Sequence, residues 1–171
     1  TPTFNRIHTL IAHAHQNNII LAITGAWGIG KTQAARYYAA NHPRRHNQPG
    51  AVYVALNETE NSARTLIGKI LHHIGISGGK QSQRSMMQTL LGALRPGDHL
   101  ILDECHKVKE ALEILSAIHD EAGIGITTIG NPVYSSTVWG DSNAFAALAS
   151  RAHRFDFPAN TEQDVDAWLA S

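Results

Sequence analysis

The sequence predicts an α/β protein with a five-stranded parallel sheet covered by helices on both faces, and three observations predict it. Short apolar runs suited to buried strands recur at 19–24, 51–56, 99–102, 124–129 and 154–157. Stretches with apolar residues spaced for one face of a helix separate them. Gly, Pro and Asn punctuate the joins. Strands that alternate with helices pair in parallel, and a parallel sheet hides both of its faces.

The elements follow in order. Ile7, Leu10, Ile11 and Ala14 lie at helical spacing, and Asn17-Asn18 ends that helix. After the strand at 19–24 comes the glycine-rich stretch 25–32, then a helix-forming run from Gln33 to Ala40 that Pro43 stops. A polar link through Arg44-Arg45 and Pro49-Gly50 leads into the second strand. Ala63, Leu66, Ile67, Ile70, Leu71 and Ile74 form the clearest apolar stripe, closed by Gly75. Met86, Met87, Leu90, Leu91 and Leu94 form the next, and methionines at that spacing belong to a core. Arg95-Pro96-Gly97-Asp98 is a turn, and the third strand behind it runs straight into Asp103-Glu104. Val108, Ala111, Leu112, Leu115 and Ile118 make the following helix. The fourth strand ends at Gly130-Asn131-Pro132, and a short helix at 144–150 leads through Arg151 to the last strand.

Composition narrows the function classes. With 171 residues the chain fits one domain, on a norm of about 100–200 residues each. Fourteen basic and fourteen acidic residues balance, so no global positive field advertises a nucleic acid, and any such surface must be local. Cys105 is alone, which excludes an internal disulfide and points to a reducing cytoplasm. No apolar run approaches the roughly 18 residues that span a bilayer, so no membrane partner is expected. The eleven histidines lack zinc-ligand spacing and read as core or solvated residues. The start without Met and the helix-like end suggest an excised fragment.

Gly25-Ala26-Trp27-Gly28-Ile29-Gly30-Lys31-Thr32, between a strand and a helix, is the P-loop pattern. Its glycines let successive backbone N–H groups face one centre, and the helix opening behind them adds its positive end. The stretch from Gly25 to Gln33 is therefore the expected ATP cradle, with Lys31 on the outer phosphates and the Thr32 hydroxyl on Mg²⁺. In a parallel sheet ligands gather at the carboxyl ends of the strands, which puts Asp103 and Glu104 opposite that cradle. Asp103 suits Mg²⁺, and Glu104 suits orienting and polarising an attacking water. Asn131 could hydrogen-bond the γ-phosphate or that water. Arg151 could reach a neighbouring subunit's nucleotide.

These stretches together, with Leu100-Ile101-Leu102-Asp103-Glu104, Ile129-Gly130-Asn131 and Ser150-Arg151, resemble the AAA+ ATPase core over nearly the whole chain. Within it, Asp103-Glu104-Cys105-His106 and the run from Thr128 to Tyr134 look most like the phage Mu transposition protein B group and related transposon helper ATPases. The resemblance implies Walker A at Lys31 and Thr32, Walker B at Asp103 and Glu104, sensor one at Asn131 and an arginine finger at Arg151. It implies a sheet ordered five-one-four-three-two, and Asn57 at the tip of strand two as a possible switch against Glu104. It also implies a core over residues 1–158, with 159–171 as the start of a truncated helical lid and the rest of the lid absent.

The activity so implied is ATP hydrolysis to ADP and phosphate. The protein would assemble with ATP as a ring or helical filament on double-stranded DNA, without sequence preference, and deliver or activate a transposase, with hydrolysis controlling release. Lys69, Lys80, Arg84 and the Arg44-Arg45 pair are the candidate phosphate contacts. Two other readings stay open at this point. A small-molecule kinase is disfavoured by a water-activating carboxylate, and a nucleotide switch without DNA would assemble independently of DNA. A helicase, prompted by the Asp-Glu-Cys-His run, would need a second motor domain.

Overall fold

The computed structural model describes residues 1–77, 79–134 and 146–158. Helix α1 (Pro2–Asn17) starts at Thr1, whose hydroxyl accepts the Phe4 N–H, and ends at Asn18 in the left-handed region. Strand β1 (Ile20–Gly25) leads through the glycine-rich loop to α2 (Lys31–Asn41). Strand β2 (Ala51–Ala55) follows, then α3 (Ala63–His73) and α4 (Gln83–Ala93). Strand β3 (His99–Asp103), α5 (Ile114–Ala122), β4 (Gly125–Gly130), α6 (Ala146–Arg151) and β5 (Ala152–Phe157) complete the order.

The strands pair in parallel in the order β2-β3-β4-β1-β5. This is the expected order read from its other edge. Side chains alternate across the sheet, so each strand feeds two cores. Val52, Val54, Leu100 and Leu102 pack with α3, α4 and α5 on one face. Leu21, Ile23, Ile101 and Ile129 pack with α1 and α2 on the other. With β1 between β4 and β5, the loop after it lies at the carboxyl end of the sheet flanked by those two strands.

The segment after β3 departs from the single helix its spacing suggests. Two 3-10 stretches, Cys105–Lys107 and Lys109–Glu113, precede α5. Val108 breaks the helix at φ −134 and ψ 44. Ala111 N–H bonds back to Val108 carbonyl at 3.1 Å, a three-residue spacing. The apolar positions are all buried as expected, but a stripe at intervals of three and four does not distinguish a tight helix from an α-helix. The proposed start of the lid, 159–171, lies outside the described residues, as do positions 144 and 145 of the short helix before β5.

Candidate nucleotide site

At the end of β1 the backbone turns under tight constraint. Gly25 lies at φ +156, and a Cβ there would sit 2.6 Å from the Phe157 carbonyl oxygen. Gly30 caps α2 at φ 91 with no side-chain hydrogen bond to the helix end. Both positions need glycine, the first for space and the second for its left-handed backbone. The uncapped first turn of α2 leaves N–H groups directed at a pocket of about 300 Å³.

That pocket is lined by Trp27, Gly28, Gly30, Lys31, Thr32 and Gln33 on the loop side. Asp103, Glu104 and His106 line it from the end of β3, and Gly130 and Asn131 from the end of β4. The structure therefore brings together residues separated by a hundred positions. Gly25, Ala26 and Ile29 shape the loop without lining the cavity. Trp27 stands 74% exposed at its mouth.

Lys31 Nζ donates to the carbonyls of Gly25 at 2.8 Å and Ala26 at 2.7 Å, so the loop's own oxygens hold the ammonium at the pocket wall. Partial burial lowers its pKa, while Asp103 and Glu104 pull it back up. Thr32 Oγ1 donates to Asp103 Oδ2 at 2.7 Å. Tyr53 OH donates to the same oxygen at 2.8 Å, and Asp103 Oδ1 accepts the Glu104 N–H at 2.8 Å. Asp103 is thus a buried carboxylate fixed by three donors.

Glu104 sits in the left-handed region at φ 65. For a residue with a Cβ this costs about 1–2 kcal/mol, and such strain collects at functional positions. Its carboxylate meets Lys107 at 3.1 Å and His106 at 3.4 Å. Burial lowers the His106 pKa, opposed by Glu104, so that imidazole is a neutral neighbour near pH 7. Asn131 is buried, and its Oδ1 accepts the Tyr134 N–H at 3.1 Å, which orients the amide at the pocket floor.

Two residues are not brought into this pocket. Arg151 forks onto Asp120, with Nε at 3.0 Å and a second nitrogen at 2.8 Å, and donates to the Ala147 carbonyl. It precedes β5 and so stands at the opposite edge of the sheet from the loop. Asn57 is exposed, and its Oδ1 accepts the Thr59 N–H at 2.9 Å, capping a 3-10 turn at Glu58–Glu60 rather than contacting Glu104. Tyr53 and His106 were invisible as site residues in the sequence. Only the register that sets β2 beside β3 carries Tyr53 to Asp103, and only the tight turn after Glu104 carries His106 to the pocket.

The donor set fits a magnesium nucleotide. A hydroxyl and a carboxylate in contact are hard oxygen ligands, and an ammonium beside N–H groups at a helix opening suits phosphate oxygens. Among the described residues no group of three or more His, Cys, Asp and Glu is placed to hold a metal ion.

Comparison with known proteins agrees with this geometry. The model of the family described as AAA domain matches residues 14–137. The chain is 28% identical over 98% of its length to the "Mu-like prophage FluMu DNA transposition protein B" of Haemophilus influenzae, covering 60% of that protein. It is 29% identical to the "ATP-dependent target DNA activator B" of Escherichia phage Mu, covering 55% of it. The chain thus spans little more than half the length of these curated relatives. Among solved structures, the ORC2 protein of Aeropyrum pernix, in ADPNP and ADP complexes, matches 98% of the chain and 49% of its own at TM-score 0.68 and 16% identity. Drosophila ORC bound to AT-rich DNA and Cdc6 matches at TM-score 0.54 and 13% identity. These likenesses carry the fold. No described helix is long and apolar enough to cross a membrane.

Proposed function

The chain belongs to the AAA domain family, and from that premise we propose that it is an ATPase that assembles with ATP on double-stranded DNA and activates or supplies a transposase. The observation that carries the ATPase reading is Lys31 and the bonded pair Thr32 and Asp103 lining one pocket with Glu104 and Asn131. The names of the relatives, target DNA activator and transposition protein, support the DNA and transposase parts.

In this reading Lys31 gives up its carbonyl partners for the outer phosphates, and the α2 N–H groups hold the rest of the chain of phosphates. Bound Mg²⁺ would neutralise charge on the phosphates and be held through Thr32 and Asp103. Thr32 can keep donating its proton to Asp103 while offering a lone pair of the same oxygen. Glu104, released from Lys107, accepts a proton from the attacking water, and Asn131 orients that water by hydrogen bond. Arg151, turned away from its own pocket, is available to the nucleotide of a neighbouring subunit once Asp120 lets it go. Release of ATP charge would then loosen the contact between subunits and free the DNA.

Local charge at the pocket's end of the sheet supports a DNA surface. Arg64 at the start of α3 donates to the Gln81 carbonyl, which holds the loop bearing Lys80 beside Arg84 at that end. Lys69 instead pairs with Glu60 at 3.4 Å, and Arg44 is committed to buried Asp98, so neither is a free contact. One or two phosphate contacts per subunit, summed over an assembly, give binding that is steep in salt. The test is DNA binding by the full-length protein with ATP, with ADP and without nucleotide across a salt series. Tight, salt-sensitive binding only with ATP is expected. Equal affinity in all three states overturns the reading and favours a nucleotide switch without a DNA partner.

A further inference from the structure

Asp103 accepts two hydroxyl protons on one oxygen, and only one of them belongs to the P-loop. The other comes from Tyr53, in the middle of the edge strand β2 opposite Ile101. We infer that Tyr53, backed by Arg36, is a positioning residue for Asp103 that sets how tightly the site takes its divalent cation. This rests on the magnesium-nucleotide reading above and goes beyond it by naming a control on the metal from outside the loop.

The geometry builds a short relay. Thr32 and Arg36 are four apart on α2 and so share a face of that helix. The Arg36 guanidinium lies 5.3 Å from the centre of the Tyr53 ring, a cation held against the face of the phenol. A cation on the ring face draws charge from the phenol and strengthens its O–H as a donor to the Asp103 oxygen at 2.8 Å.

The consequence is orientation rather than contact with the reacting atoms. A carboxylate held by Thr32 alone on one oxygen and the Glu104 N–H on the other can rotate when the Thr32 oxygen also takes a cation. Tyr53 does not move with the loop, being set in the sheet, so the Asp103 plane stays fixed as the loop changes partners. Its role is therefore to aim a ligand oxygen at the cation. Tyr53→Phe keeps the ring against the core and removes only the bond.

The experiment is a Mg²⁺ titration of ATP hydrolysis and of ATP binding, in wild type and Tyr53→Phe, with ADP binding in the absence of divalent cation alongside. In Tyr53→Phe the Mg²⁺ concentration for half-saturation is expected to rise on the order of tenfold, the size of one hydrogen bond to a charged acceptor. Metal-free ADP binding stays at the wild-type value. Arg36→Gln, an exposed substitution that keeps the fold, shifts the Mg²⁺ midpoint in the same direction by about twofold. An unchanged Mg²⁺ midpoint in Tyr53→Phe, with wild type responding normally to the metal, overturns the role of Tyr53 and leaves the site reading intact. An equal loss of metal-free ADP binding also overturns it, since that reports a general disturbance of the pocket. Failure of wild type to bind nucleotide at any Mg²⁺ concentration fails the site reading itself.

Discussion

At the amino ends of the strands, Asp98 is fully buried and accepts from the Gly50 N–H, the Arg95 N–H and the Arg44 guanidinium. Beside it, His99 Nε2 pairs with the Thr127 hydroxyl at 2.8 Å, and His15 stacks on His99 while reaching the Gly97 carbonyl and the Tyr38 hydroxyl. At the carboxyl ends, Asp103 is as deeply buried and as fully bonded, yet its neighbours line an open pocket and Lys31 is held by two backbone carbonyls. Both ends take charge out of water and satisfy it. One end does so with partners that tie the Arg95 turn, the Arg44 segment and β3 together. The other uses partners that a ligand can replace. Burial of a carboxylate by itself therefore says little about function; what its donors can do instead says more.

The comparison is broken most severely at the structural end. Asp98→Ala leaves Arg44 without its carboxylate and two backbone N–H groups without an acceptor. Loss of one partner of a buried pair costs about 3–5 kcal/mol, and denaturant unfolding measures it. Nucleotide affinity of the fraction that stays folded should match wild type. A selective loss of nucleotide binding with normal stability would merge the two ends.

A smaller effect separates the ends by pH. Burial holds the His99 imidazole neutral and its pKa well below 6.5, and the neighbouring His15 pushes the same way. The unfolded chain then takes up a proton that the folded chain refuses. The stability from this group is complete above about pH 6.5 and is lost as pH falls below it, at up to about 1.4 kcal/mol per pH unit for one proton. Denaturant midpoints from pH 8 to 5.5 should fall on the acid side. A flat profile removes His99 as the cause.

How much of this was legible in the sequence differs between the ends for a physical reason. The P-loop is local: its glycines, Lys31 and Thr32 stand next to one another, so spacing alone reveals the cradle. Asp103 and Glu104 are legible because a parallel sheet sends every strand's carboxyl end to one side. The sheet order came from resemblance, and the structure has it. Tyr53 was not legible, since its partner is fifty positions away and nothing in Ala51-Val52-Tyr53-Val54 marks one residue of a strand as polar in purpose. Asp98 looked like an ordinary turn residue for the same reason. Its burial depends on Arg44 folding back across the end of α4, where the sequence suggested a surface charge. Arg151 was legible as a position, and its fork onto Asp120 was not. Helical spacing after β3 hid the tight turn at Glu104, because a left-handed residue leaves no mark on an apolar stripe.

The most direct test of the ligand end is a calorimetric ATP titration with Mg²⁺ into wild type and Lys31→Ala, with hydrolysis by Glu104→Gln followed in parallel. Wild type should bind saturably, and Lys31→Ala should bind more weakly by on the order of a hundredfold while the fold is retained. Glu104→Gln should bind as wild type and hydrolyse about 10²–10⁴ more slowly, the loss of a general base. Wild-type ATP affinity in Lys31→Ala, or a wild-type rate in Glu104→Gln, would contradict the assignment of these carboxyl-end residues to the nucleotide.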